Sequence, residues 1–77
     1  MADIKYEILK SYGVLSESAK GWKKELNLVK WNDRSAKLDV RDWAPDYAKM
    51  GKGLTFNRTE AMALKELLAG IVFDDID

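Results

Sequence analysis

Residues Trp22–Trp43, W-K-K-E-L-N-L-V-K-W-N-D-R-S-A-K-L-D-V-R-D-W, read as two β-strands joined by the turn Asn32-Asp33-Arg34-Ser35. Successive side chains of a strand point to opposite faces. One parity carries Leu26 and Leu28, matched by Leu38 and Val40 on the second strand, and is the expected core face. The other carries Lys23, Val29 and Trp31 against Lys37, Arg41 and Trp43. A hydrophobic core has no use for a second face on which indoles sit among cations. Flat rings for bases beside cations for phosphates are what single-stranded nucleic acid requires.

Each of these residues also has a plainer reading. A strand tryptophan is most often partly buried, and a bulge in either strand would invert the parity. Trp22 shares the parity of Leu26, which favours packing at the sheet edge. Lys23, Lys24 and Lys30 suit edge-strand residues that discourage aggregation. Arg41, on the face between Asp39 and Trp43, suits a salt bridge or a phosphate contact equally. Tyr6, Tyr12 and Tyr47 carry no clear signal.

Outward from this hairpin, residues Lys5 to Leu15 read as a first strand, with a bulge or bend at Gly13. Ser16 to Gly21 reads as a turn. Beyond Trp43, Pro45 interrupts regular structure, and Ala44 to Lys52 reads as a loop. Gly51 and Gly53 flank Lys52 and leave the backbone free for close approach. Gly53 to Phe56 forms a fourth strand with Leu54 and Phe56 on the core parity. Asn57 followed by Glu60 is a capping-box arrangement. The helix then runs from Arg58 to Ala69 or Val72. Ala61, Leu64, Leu67, Leu68, Ile71 and Val72 make a wide apolar stripe, which a partner helix would bury better than one small sheet. Residues 74–77 end the chain as an acidic, frayed tail. Short successive connections favour an antiparallel meander. The expected class is therefore α+β: a four-stranded antiparallel sheet followed by one helix, as one domain over 1–77.

The 77 residues include neither cysteine nor histidine, so no disulfide or thiolate metal site supports so small a core. The usual general base and thiol nucleophile are missing. Asp39 and Asp42 face opposite ways on a strand, and Gly51-Lys52-Gly53 lacks the spacing and the Ser/Thr of a P-loop. No enzyme, metal site or cofactor is expected. The N-terminus lacks the apolar run of a signal peptide and no stretch is long enough to span a membrane, so a cytoplasmic location is expected. Net charge is zero, but from Lys20 to Arg58 ten bases face five acids, while the flanks hold three bases and eight acids. The chain is a basic middle between acidic ends.

K-G-W-K-K-E-L-N at Lys20–Asn27, K-W-N-D at Lys30–Asp33, L-D-V-R-D-W at Leu38–Trp43 and K-M-G-K-G-L-T-F-N at Lys49–Asn57 resemble, in this order and spacing, one known family. It is the C-terminal-domain family of the transcriptional coactivator positive cofactor four, and the chain is most similar to its small bacterial YdbC-type members. The resemblance covers about Lys5 to Leu68. It implies a strongly curved sheet, homodimerisation through the helix, and single-stranded DNA binding of low sequence specificity in transcription or DNA metabolism. By position it implies that Lys24 is a basic strand residue and that Trp31 stacks on bases. It also implies that Arg34 and Lys37 form a basic hairpin, that Arg41 is the third-strand arginine, and that Lys52 is the lysine of the G-K-G loop. Trp43 stands one position from the family's third-strand tryptophan. No counterpart of the eukaryotic protein's Ser/Lys-rich regulatory arm is expected. The candidate nucleic-acid-binding set is thus Lys23, Lys24, Lys30, Trp31, Arg34, Lys37, Arg41, Trp43 and Lys52. The alternatives are a protein-interaction module whose basic-aromatic face docks an acidic partner, or an RNA or duplex binder.

Overall fold

The computed structural model describes residues 5–77; Met1–Ile4, part of the expected domain and of the stretch read for a signal peptide, lie outside the described residues. Four strands, β1 (Tyr6–Glu17), β2 (Lys23–Trp31), β3 (Lys37–Trp43) and β4 (Met50–Phe56), precede one helix, α1 (Arg58–Ala69). The strands form one sheet in the order β1-β2-β3-β4, every neighbouring pair antiparallel. This is the expected α+β meander.

The turns use local chemistry. Asn32 takes a positive φ of 51° at the β2–β3 turn, a conformation asparagine tolerates better than most residues. Its side-chain oxygen accepts from the Lys5 backbone N–H at 3.0 Å, tying the start of β1 to the hairpin. At the start of α1 the Asn57 side chain accepts from the Glu60 N–H (2.8 Å), and the Glu60 carboxylate accepts from the Asn57 N–H (2.9 Å). This reciprocal cap satisfies two backbone donors the first turn would otherwise strand. Past the helix, Phe73–Asp75 adds one turn of 3-10 helix.

The 12 residues of β1 pair with the 9 of β2, and the three extra residues are absorbed at three register shifts. The residues left without a partner are Leu9, Tyr12 and Leu15. Each bulge bends its strand and raises the local twist, so an edge strand bulged three times wraps a coiled sheet. Gly13, the expected bend, stands at the second shift with φ 155°.

Ring contacts measure the coil. Trp43 pairs with Lys23, and Trp31 lies eight residues away along β2. In a flat sheet that offset is about 26 Å. Yet Tyr6 sits 5.5 Å from the Trp31 ring and 5.3 Å from the Trp43 ring. The sheet is therefore strongly curved, with the Trp31 parity on its concave face.

This curvature overturns the expected core. Leu26, Leu28, Leu38 and Val40 are only half-buried. The fully buried side chains include Val29, Asn27, Asp39 and Trp43, all of the opposite parity. The coil closes the concave face on itself, whereas α1 stands off the convex face and buries none of its residues. Between helix and sheet a groove of about 490 Å³ stays open, lined by Leu15, Leu26, Leu38, Val40, Leu64 and Leu68.

Candidate nucleic-acid interface

The concave face is built by pairing. Opposite one another in β2 and β3 stand Lys23 and Trp43, Glu25 and Arg41, Asn27 and Asp39, and Val29 and Lys37. Tyr6 adds a ring across from Trp31. The cluster of Tyr6, Trp31, Trp43 and Tyr47 is linked by ring separations of 5.3 to 5.7 Å at tilts of 42° to 46°, a range in which aromatic pairs attract.

Trp31, the last residue of β2, is half-buried on this face, away from the leucines and the helix. Trp43 departs from the expectation of a ring open to a base. It is fully buried, covered by Tyr6 on one side and Tyr47 on another. The parity that placed it opposite the leucines is correct. What changes its role is that the coil folds its own face shut.

Arg41 makes the ion pair rather than presenting an open cation. Its Nε and Nη2 donate to the two Asp39 carboxylate oxygens, each at 2.7 Å. Nη1 reaches the Gly51 carbonyl at 3.4 Å and the Met50 sulfur at 3.7 Å. The guanidinium carbon lies 4.5 Å from the centre of the Trp31 ring, within cation–π range. Among the described residues this is the sole ion pair.

The lysines distribute unequally. Lys23 and Lys37 share the concave parity and are half-buried. Lys24 and Lys30 have the opposite parity and are exposed, and Arg34 is exposed in the β2–β3 turn. Lys52 is exposed on β4, which begins at Met50, three residues before the expected strand. The Gly51-Lys52-Gly53 segment is thus sheet, not loop.

Sequence reading missed Tyr6 and Tyr47. Tyr6 is 36% exposed on the concave face, and only the bulged β1–β2 register brings it to Trp31. Tyr47 takes φ 60° in the turn after Trp43, which lays its ring on that indole. Its hydroxyl donates to Glu25, which is buried and also accepts from Asn27 Nδ2 at 3.2 Å. The hydrogen bond to Glu25 holds the Tyr47 phenol above its ordinary pKa, with burial and the negative carboxylate adding to it.

A strongly curved antiparallel sheet, with aromatics and cations on its concave side and one helix behind it, makes a small α+β module with one helix-free face. The match to a family model goes further. The chain belongs to the transcriptional coactivator p15 (PC4) family, whose model matches residues 18–67, from the turn before β2 into α1. It is also similar to an uncharacterized protein of Treponema pallidum (strain Nichols), with 46% identity over 72 residues, covering 94% of this chain and 85% of the relative.

Proposed function

We propose that this protein is a homodimeric single-stranded DNA-binding protein of low sequence specificity, acting in transcription or DNA metabolism in the bacterial cytoplasm and carrying no catalysis. One observation carries the reading: Trp31 lies on the helix-free face with Lys23 and Lys37, and Arg34 stands at the adjoining turn. Base stacking on the half-exposed aromatics and phosphate attraction by Lys23, Arg34 and Lys37, with Lys24, Lys30 and Lys52 adding positive field from the edges and the other face, together suit a single strand and read no base edge. Membership of the coactivator p15 family supports a nucleic-acid partner. Among the described residues no helix is long and apolar enough to cross a membrane.

The homodimer rests on the convex face. Leu67 is 71% exposed, Leu68 and Ile71 are exposed beside it, and the groove under α1 is unfilled. A second copy would cover this apolar surface.

The test is a fluorescence anisotropy titration with labelled oligo-dT and a duplex of equal length at two salt concentrations. Affinity for oligo-dT should fall steeply with salt. Trp31→Ala should stay folded and bind about 5-fold to 160-fold more weakly, the loss of one stacked base at roughly 1–3 kcal/mol. A folded Trp31→Ala with unchanged affinity removes Trp31 as a platform. A duplex or RNA preference would replace the single-strand reading. Binding to an acidic protein that oligonucleotides cannot displace would favour an interaction module.

A further inference from the structure

We infer that Arg41 serves nucleic-acid binding as a positioning residue, clamped by Asp39 against one face of Trp31, and is not a phosphate ligand. The inference rests on the proposed single-strand function and assigns a division of labour within it. Exposed lysines would hold the backbone, and an internal ion pair would set the stacking ring.

Three observations lead there. First, the guanidinium is already engaged. A phosphate is recognised by the same two-pronged geometry that Asp39 occupies through Nε and Nη2. Nη1 is turned to the Gly51 carbonyl and the Met50 sulfur. The Arg41 side chain is 13% exposed and Asp39 is fully buried. Freeing Arg41 for phosphate would leave a carboxylate buried without its counter-charge, which is strongly unfavourable.

Second, the backbone is arranged around this side chain. Gly53 pairs with Arg41 across β3 and β4. A Cβ on Gly53 would collide with the Arg41 side chain and approach the Val40 carbonyl to 2.5 Å. The second glycine of the G-K-G segment is therefore required by the close approach of β3 and β4 at Val40 and Arg41, with the Arg41 Nε 3.0 Å from where a Cβ would stand, and need not be explained by a ligand approaching the backbone.

Third, the clamp reaches Trp31 only because the sheet coils. Arg41 pairs with Glu25, six residues from Trp31 along β2, an offset of about 20 Å in a flat sheet. The guanidinium nevertheless stacks 4.5 Å from the indole centre. The indole is thereby fixed on one side by an arginine that is itself fixed by a buried carboxylate. Pre-ordering the ring spares a strand the cost of ordering it on binding.

The two roles give opposite outcomes in oligo-dT titrations across a salt series. Arg41→Lys keeps the charge but loses the two-pronged hold. The clamp predicts affinity about 3-fold to 10-fold lower with an unchanged salt slope; a phosphate contact predicts near wild-type binding. Asp39→Asn, a change of similar shape, should also weaken binding if it folds. A tighter complex with a steeper slope would mean that Arg41 had been released onto phosphate, and would overturn the clamp. Lys37→Gln is the reference, expected to reduce the slope by about 0.7, the share of one phosphate on a single strand.

A binding-independent readout separates this inference from the functional reading. The Arg41 Nε–H should give a protected NMR resonance in the free protein, lost in Asp39→Asn and unmoved by oligo-dT. Failure of the wild type to bind any oligonucleotide would sink the DNA reading, and the clamp's role in binding with it, while the protected resonance would still report the clamp itself. An Arg41 Nε–H that exchanges freely in the wild type overturns the clamp regardless of binding.

Discussion

On the concave face of the sheet, Val29, Asp39 and Trp43 are fully buried by the coil of their own chain. On the convex face, Leu26, Leu38 and Val40 remain half-exposed beneath a helix that buries none of its residues. The face rich in charged and aromatic side chains is closed by its own chain, although Asn27 Oδ1 and the Trp31 and Trp43 indole N–H groups stay unpaired there, and the aliphatic face is not closed. The difference follows from what each group needs. Rings, an ion pair and short hydrogen-bonded side chains find partners through directional contacts, and three bulges in β1 supply the curvature that brings those partners together. Leucines need only area removed from water. A 12-residue helix standing off the sheet does not supply it. A second copy could.

The sharpest way to break this contrast is at the two tryptophans of the concave face. Trp43→Ala removes a fully buried side chain and should cost roughly 3–5 kcal/mol. A chain of this size holds only about 4–12 kcal/mol in all, so urea denaturation should find the variant close to unfolded. Trp31→Ala, half-exposed, should spare the fold and affect binding. A stable Trp43→Ala protein that loses only oligonucleotide affinity would mean that Trp43 opens to solvent and works as a ring platform after all.

The convex face is tested at α1. Leu64 faces the groove from the helix and is half-buried. Leu64→Glu should convert a dimer to monomers in sedimentation velocity at micromolar concentration, while far-ultraviolet circular dichroism keeps its strand signal. A wild-type protein that sediments as a monomer under the same conditions would mean that the convex face is stable half-covered, and the contrast with the concave face would lose its explanation.

The features that sequence reading found are those whose causes are local. The β2–β3 hairpin follows from alternation over a few residues around Asn32, and the start of α1 from Asn57 and Glu60 three positions apart. The parity that sets Trp31 and Trp43 against the leucines is equally local, and it holds. The features it missed depend on partners distant in the chain. Leu9, Tyr12 and Leu15 are bulged because nine residues of β2 must be matched by twelve of β1, and no single strand carries that count. Alternation broken three times hides the fact that Tyr6 meets Trp31. The burial of Trp43 comes from coiling, and the use of Gly53 from the close approach of β3 at Val40 and Arg41 across the ladder. Parity says which side of a sheet a residue takes. It does not say whether that side is open.

The smallest effect refines how the concave face stays closed. Tyr47 lies over Trp43 and donates to the buried Glu25, and this bond raises its phenol pKa above the ordinary value of 10.0. A raised phenol pKa means that the folded state holds the proton more tightly than the unfolded chain. The contribution is therefore complete below about pH 10 and disappears as pH rises through the folded value. Tyr47→Phe keeps the ring on Trp43 and deletes the hydroxyl, so at neutral pH it should cost roughly 1 kcal/mol in urea denaturation. Other tyrosines and the lysines titrate in the same alkaline range, so the informative quantity is the gap between wild type and variant. That gap should be constant from pH 6 to 9 and narrow above pH 10, when the wild type loses the same bond. A gap that instead widens with alkalinity would mean that the ionised phenol is held better than the neutral one. The Glu25–Tyr47 bond would then not be what keeps the turn closed over Trp43.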